Sequence, residues 1–572
     1  MLAAVPAGGR VALVDPRFVG HLHALRLGLT DPRFDVAALP GALTAQPGAR
    51  AALVRALDRT VAAVGAGSPV GPPPADPDAE DRTVPGRLAV ALETGGTPVQ
   101  RPELGSLTAA VPTGPQARAA AREAVAAVDD EAVRLRNAVK AHDGFVTTFL
   151  VSPYSRYIAR WCARRGLTPN QVTTASLITA LVAAGSAATG TRGGYVAAGV
   201  LLLLSFVLDC TDGQLARYSL QYSTMGAWLD ATFDRAKEYA YYAGLALGAA
   251  RGGDDVWVLA LGAMVLQACR HIVDFSFNEA NHDAVSNTSP TAALSDRLDS
   301  VGWTVWLRRM IVLPIGERWA MIAVLTAVTS PRVVFYALLV GCSLAACYTT
   351  AGRLLRSLTR KARRTDRAAQ ALSDLADSGP LARAAAAVVP RPGGGFTAPL
   401  LALTGAAAII AAALLLPYGS PLTVAAAALY AVLSGAAVAR PLKGALDWLV
   451  PPVFRAAEYC TVLVLAARSD VPHALPAAFG LVSAVAYHHY DTVYRIRGGT
   501  GAPPRWLVRT IGGHEGRTVV VAVCAAVLTH ASDFTTALTA LAVAVALVVL
   551  VESIRFWVSS SAPAVHDEGE LA

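Results

Sequence analysis

Residues 209–234, DCTDGQLARYSLQYSTMGAWLDATFD, set four aspartates around one short polar break. The charge-free run 194–208 leads into Asp209 and Asp212, and a second apolar segment from Met225 carries Asp230 and Asp234. At helical periodicity Asp209, Asp212 and Ala216 share one face, and Gly226, Asp230 and Asp234 share another. A short connection makes such helices antiparallel neighbours, so the two faces converge. Carboxylates at the end of a membrane span are costly, roughly 2.5–3.5 kcal/mol each at the bilayer centre and less near an interface. Four together also repel one another. Divalent cations with oxygen ligands, Mg²⁺ (or Mn²⁺), neutralise such a set, and two metals about 4 Å apart suit phosphoryl chemistry. The competing reading is a group of solvated interfacial aspartates.

Composition agrees with a membrane setting. Hydrophobic residues make up 54% of 572 residues and mean hydropathy is +0.44, too apolar for an ordinary soluble chain. The formal charge of +8 sits beside apolar runs, which suits orientation in a bilayer and argues against a nucleic-acid partner. The seven cysteines have no paired spacing and read as small core residues. MLAAVPAGGR turns directly into mixed, charged sequence and does not read as a cleavable signal.

Asp209-x-x-Asp212-Gly213-x-x-Ala216-Arg217, eight further residues, then Gly226-x-x-x-Asp230-x-x-x-Asp234 resembles the complete signature of the CDP-alcohol phosphotransferases. That resemblance implies transfer of a phosphate-linked group from a CDP-alcohol to an acceptor hydroxyl, with release of CMP. It implies two metals held by Asp209, Asp212, Asp230 and Asp234, with Asp234 also the base that deprotonates the acceptor. Gly213, Ala216 and Gly226 would leave room for the nucleotide, and Arg217 would approach its phosphates. The expected donor is CDP-diacylglycerol and the expected acceptor a small polar alcohol, inositol phosphate being one candidate. The alternatives are a soluble CDP-alcohol donor, or an inactive membrane scaffold or transporter.

Along the chain, residues 1–140 read as a small cytosolic α/β domain. Strand-like runs at Arg10–Asp15 and Leu88–Leu92 mix with helical stretches at Ala49–Val64 and Gln116–Val128 around a proline-rich linker. Relatives of the family can carry a nucleotidyltransferase here, and Gly8-Gly9-Arg10 is at most a trace of its phosphate loop. Between 140 and 170, Tyr154, Tyr157, Ile158 and Trp161 alternate with Arg156, Arg160, Arg164 and Arg165, which predicts a helix lying on an anionic leaflet. Thr168 and Pro169 read as the cap and first turn of the first span. Asp143-Gly144-Phe145 and Thr168-Pro169-Asn170 also resemble the entry of inositol-phosphate-using members.

Six spans are expected near 171–190, 194–217, 225–250, 255–275, 314–330 and 332–352, forming a membrane domain at 141–357. Arginines before the first and after the sixth put both flanks, and the aspartates, on the cytoplasmic side of the inner membrane. Lys237 and Arg270 are candidates for holding the acceptor, with Glu238 beside the first, His271 and Asp274 beside the second, and Glu317 flanking the fifth span. Arg308, Arg309 and Arg318 read as span-flanking cations.

After a charged linker at 358–396, six further apolar spans lie within 397–560, followed by a tail at 561–572. Their sequences echo the first set. Trp228-Leu229 with Arg235 to Tyr239 parallels Trp448-Leu449 with Arg455 to Tyr459. His271-x-x-Asp274 parallels His488-x-x-Asp491, and Trp306-Leu307 parallels Trp506-Leu507. In that register Val432, Gly435, Val450 and Phe454 replace the four aspartates, so the second copy cannot build the metal site. Family members pair as homodimers, and a fused degenerate copy is expected to supply the partner surface as an intramolecular pseudo-dimer. The expected fold is thus mainly α and polytopic: a six-helix bundle, a degenerate six-helix repeat and a small α/β domain in front.

Overall fold

A computed structural model describes residues 9–65, 83–140, 143–282, 311–359, 364–389, 393–528 and 531–559. These residues form two compact units. One comprises Met1–Ala141, Val151–Val172 and Asp209–Ala227; the other comprises His142–Leu150, Thr173–Leu208 and Trp228–Ala572.

The first unit opens with β1 (Val11–Val14), β2 (Val19–Gly20), α1 (Leu22–Leu29), β3 (Val36–Leu39), β4 (Ala42–Ala45) and α2 (Arg50–Gly65). It continues through α3 (Val84–Thr94), β5 (Ala109–Ala110), α4 (Pro115–Ala126) and α5 (Asp130–Asn137). The sheet runs β1-β4-β3 and is antiparallel, and β2 pairs with β5. Val36, Leu43, Leu53, Leu88 and Leu92 close the core between sheet and helices. The strand expected at Leu88–Leu92 is helical instead. Thr83 caps that helix by accepting the Gly86 N–H at 3.0 Å, and Leu88 and Leu92, four residues apart, bury the same face. Arg10 donates to the carbonyls of Leu29, Asp31 and Phe34, so it is spent on a loop; Gly8 lies outside the described residues.

Helix α6 (Ser152–Arg164) buries Ser152, Ser155, Ala159 and Cys162 and exposes Tyr154, Tyr157 and Trp161. This is the amphipathic helix expected from the sequence. Thr168 and Gln171 then form a reciprocal cap at the start of the next helix. The Thr168 N–H donates to Gln171 Oε1 at 2.9 Å, and the Gln171 N–H points back to Thr168 Oγ1 at 3.4 Å.

Each expected span is met by a helix. These are α7 (Pro169–Ala188), α8 (Arg192–Ser219), α9 (Thr224–Arg251), α10 (Trp257–Asn281), α11 (Ile315–Val328) and α12 (Pro331–Thr359). Two short helices follow, α13 (Asp366–Leu375) and α14 (Pro380–Val388), and then α15 (Thr397–Leu415), α16 (Pro421–Val438), α17 (Val450–Arg468) and α18 (Ala474–Arg497). The last three are α19 (Arg505–Thr510), α20 (Gly513–Val527) and α21 (Ala531–Ser559). Eight of the helices among the described residues are long and apolar enough to cross a membrane, and the chain is an integral membrane protein. Helices α9 and α18 fall short of that measure because each carries a cluster of charged or histidine side chains. Helices α11 and α20 fall short because they have only 14 and 15 residues, about 22 Å of rise.

Small residues set the helix spacing. A Cβ on Gly244 or Gly248 of α9 would collide with the carbonyl oxygens of Ala184 or Ala187 on α7, so α9 and α7 approach at backbone distance. The stretch expected to be a charged linker, 358–396, differs from that reading. Helix α13 buries Ala368, Ala369, Leu372 and Leu375, because its alanine-rich face can pack where a solvated linker could not.

Candidate metal centre

Helices α8 and α9 are consecutive, and local chemistry sets the turn between them. Leu220 takes a left-handed conformation, φ 55°, which ends α8. The Ser223 hydroxyl accepts the Gly226 N–H at 2.9 Å and starts α9. On these helices one carboxylate oxygen each of Asp209, Asp212 and Asp230 lies within 4.8 Å of the others. Opposed oxygens around an octahedral Mg²⁺ are about 4.2 Å apart. Adjacent oxygens around such an ion are about 3 Å apart, so the three carboxylates need only draw together to share one hard cation, and oxygen donors are what such a cation takes.

Asp234, the fourth expected ligand, stands outside that group. Its Oδ1 lies 2.8 Å from Lys237 Nζ, one turn along α9. Lys237 is fully buried, donates to Ser176 Oγ at 3.2 Å and sits against the Trp319 ring. Lys237, a sequence candidate for holding the acceptor, pairs with Asp234 here, because a buried ammonium takes the nearest carboxylate.

Gly213 follows Asp212 on α8. A Cβ there would find nothing closer than the Arg217 guanidinium at 3.5 Å, so the protein's own packing does not demand glycine. Gly226 differs. A Cβ there would press on Asn170 Oδ1 and Ser223 Oγ, both at 2.8 Å, which gives this glycine a packing reason independent of any nucleotide. Arg217 donates from Nε to the Ala138 carbonyl at 2.6 Å. Ala216 is half-buried on the same helix. Arg270 is buried and donates to the Val312 carbonyl, while Asp274 pairs with Arg353. Arg308 and Arg309 lie outside the described residues.

Glu238 turns out to hold helices together. Arg235 Nη1 and Arg318 Nε each reach it at 3.0 Å, and the Tyr242 hydroxyl donates to it at 2.7 Å. The same figure recurs in the second half. Arg455 Nη1 lies 3.0 Å and Arg517 Nε 2.5 Å from Glu458, with Asp377 bridging both arginines at 2.9 Å. A second parallel was not legible in the sequence. Glu317, at the start of α11, accepts the Phe145 N–H at 2.5 Å. Glu515, at the start of α20, accepts Gly379 N–H at 3.1 Å and Ala382 N–H at 3.0 Å.

Residues 166–329 match the CDP-alcohol phosphatidyltransferase family. The chain carries a CDP-alcohol phosphatidyltransferase domain. Residues 366–572 match a family of unknown function, DUF5941. A phosphatidylinositol phosphate synthase of Streptomyces avermitilis is 29% identical over 152 residues, 27% of this chain and 59% of that protein. An archaetidylinositol phosphate synthase of Pyrococcus horikoshii is 30% identical over 113 residues, 20% of this chain and 58% of the relative. A bifunctional IPC transferase and DIPP synthase of Aquifex aeolicus is 33% identical over 123 residues, 21% of this chain and 27% of the relative. The chain thus spans about three fifths of the first two relatives and about a quarter of the third. All the matched aspartates fall inside the phosphatidyltransferase domain.

Within the second unit, helices of this domain pack directly on the second half. Trp228, two residues before Asp230, stacks on Trp557 with centroids 5.9 Å apart. Arg235, next to Asp234, lies over the Tyr490 ring at 5.1 Å. The Trp448 indole donates to Ser357 Oγ at 2.9 Å. In the second half itself, Phe454 is fully buried and stacks on His514 at 4.2 Å. Phe454, which the expected sequence register sets against Asp234, is thus part of an aromatic core.

Proposed function

We propose that this protein transfers a phosphate-linked group from a CDP-alcohol, CDP-diacylglycerol being the first choice, to the hydroxyl of a phosphorylated polyol such as inositol phosphate. The observation that carries the reading is the convergence of Asp209, Asp212 and Asp230 inside the matched domain. The inositol-phosphate names of the relatives support the acceptor class.

Asp209, Asp212 and Asp230 would hold the divalent metal, with Asp234 completing the set through Oδ2 while Oδ1 stays on Lys237. Bound there, the metal supplies charge neutralisation for the donor diphosphate. Asp234 accepts the proton of the acceptor hydroxyl. The acceptor oxygen bonds to the phosphorus that carries the alcohol, the bond from that phosphorus to the CMP oxygen breaks, and CMP leaves with the electron pair. Lys237, 2.8 Å from Asp234 Oδ1, orients that carboxylate toward the hydroxyl. Gly213 lets the nucleotide lie against α8, and Arg217 stands beside it. Arg270 remains our candidate for the acceptor phosphate.

We further propose that residues from 366 onward are a degenerate duplicate of the phosphatidyltransferase bundle. It would dock as an internal partner and brace α9 through Trp557 and Tyr490. The repeated Arg–Glu–Arg clusters and the repeated glutamate caps support this, and α13 and α14 belong to the copy, not to a linker. The active face would open to the cytoplasm, with arginines on both flanks of the first bundle.

The test is CMP release from CDP-diacylglycerol with Mg²⁺ across a panel of acceptors, beside Asp234→Asn. Acceptor-dependent release that the variant abolishes supports the reading. A folded protein that releases no CMP with any acceptor, from this donor or from soluble CDP-alcohols, overturns it.

A further inference from the structure

The first unit contains a cavity of about 420 Å³ where α1, α5, α6 and the end of α8 meet, a size within the range of small-molecule sites. Its walls are polar and include Arg26, Glu131, Arg134, Arg164, Tyr218 and Gln221. Three arginines face one carboxylate. Glu131 is already engaged, taking Arg164 at 3.1 Å and the Tyr218 hydroxyl at 3.1 Å. Arg134 is fixed in place, donating from Nε to the Tyr218 carbonyl at 2.6 Å with its guanidinium 3.6 Å over the Tyr218 ring. That leaves its terminal nitrogens for the cavity.

Arg26 and Arg134 make no ion pair among the described residues, and they repel each other. Burial and then the field of Arg26 lower Arg134. Burial, then Arg134 and Arg26, hold neighbouring His23 down at about 4. Glu131 and Asp130 offset part of that repulsion, and cations brought together with an incomplete counter-charge cost stability. A pre-set fork of guanidinium donors is the geometry that recognises phosphate.

We propose that this cavity is a binding site for a phosphate monoester, formed by Arg26, Arg134 and Arg164, through which the N-terminal domain grips a phosphorylated ligand at the end of the aspartate-bearing helix α8. The lining has no apolar slot for an acyl chain, so the recognised part is the phosphate and its hydroxylated carrier. The carrier is either a free sugar or polyol phosphate, or the headgroup of a phosphorylated lipid in the adjoining leaflet, where α6 presents Tyr154, Tyr157 and Trp161. The site is separate from the aspartates and does not depend on their chemistry.

The experiment uses the full chain in detergent with EDTA, which silences any metal-dependent site. Inositol monophosphate is titrated calorimetrically against the unaltered protein, Arg26→Gln and Arg134→Lys, with sulfate at equal ionic strength as the control for bulk charge. The Arg26 side chain has no hydrogen-bond or ion-pair partner among the described residues, so Arg26→Gln keeps the fold, which an unchanged melting temperature verifies. Saturable binding that weakens about tenfold or more in Arg26→Gln, and is not reproduced by sulfate, supports the site with a soluble ligand. Arg26-dependent association with phosphatidylcholine vesicles doped with phosphatidylinositol phosphate, without binding of the soluble probe, supports it with a lipid headgroup. Equal binding by the unaltered protein and Arg26→Gln, or no binding to either probe, overturns it.

Discussion

Arg517→Met is the sharpest test of how the second half is built. Arg517 and Arg455 face Glu458 and Asp377 in a cluster whose side chains are all at most 3% exposed. Two guanidinium groups balance two carboxylates, and His488 Nε2 adds a contact to Asp377 at 3.1 Å. Methionine fills most of the space of arginine but removes one positive charge and the contacts at 2.5 Å and 2.9 Å. A carboxylate is then left buried without full compensation, at a cost of about 3–5 kcal/mol. Adding Glu458→Gln restores neutrality and recovers about 1–3 kcal/mol of that loss. The solvent-facing pair of Arg332 and Asp254 is the control, since Arg332→Met leaves the unfolding midpoint where it was. Denaturant unfolding in mixed micelles, followed by tryptophan fluorescence, reads all four proteins. If Arg517→Met unfolds at the same midpoint as Arg332→Met, or if the double variant is less stable than the single one, the charge-balance argument is wrong.

Other perturbations give distinct signs. Asp230→Asn removes two of the three close carboxylate pairs, worth about 1 kcal/mol each at 4.8 Å in a water-like dielectric. In EDTA the variant is therefore more stable than the parent, and its melting temperature no longer rises with Mg²⁺; a Mg²⁺ response equal to the parent's refutes the site. Lys237→Gln takes the ammonium from Asp234, and kcat falls about tenfold to a hundredfold with little change in KM, as steady-state CMP release will show. Trp557→Ala opens a cavity beside Trp228 and strips the 2.6 Å bond from its indole to Asp491, costing about 3–5 kcal/mol in micellar unfolding. His23 titrates at about 4 when folded against about 6.5 unfolded. The unfolded chain therefore binds the extra proton between those values, and stability falls as pH drops from 6.5 toward 4. His23→Gln flattens that slope in pH-dependent melting curves.

The aspartates and their helices were legible because both ends of the argument are local. Spacing along α8 and α9 puts Asp209 with Asp212 and Asp230 with Asp234, and one short turn brings the first three close. The direction of Lys237 was not legible, because sequence places it one turn from Asp234 without saying whether it points to solvent or to Ser176. Leu88–Leu92 is ambiguous in sequence because five apolar residues suit either periodicity, and the Thr83 cap decides for the helix. The 358–396 stretch looked like a linker because its charges are visible and the apolar face of α13 is short.

Composition, apolar run length and the fixed signature by themselves determined the membrane class, the helix positions and the identity of the carboxylates, since each depends on neighbours in the chain. Tertiary structure alone decided that Asp234 pairs with Lys237, that Glu238 and Glu458 each clamp two arginines, and that Arg26, Arg134 and Arg164 share a cavity. Those facts depend on side chains 3 to 138 positions apart. At Lys237, Glu238 and Glu458 burial removes water as a partner, and the nearest charge takes its place.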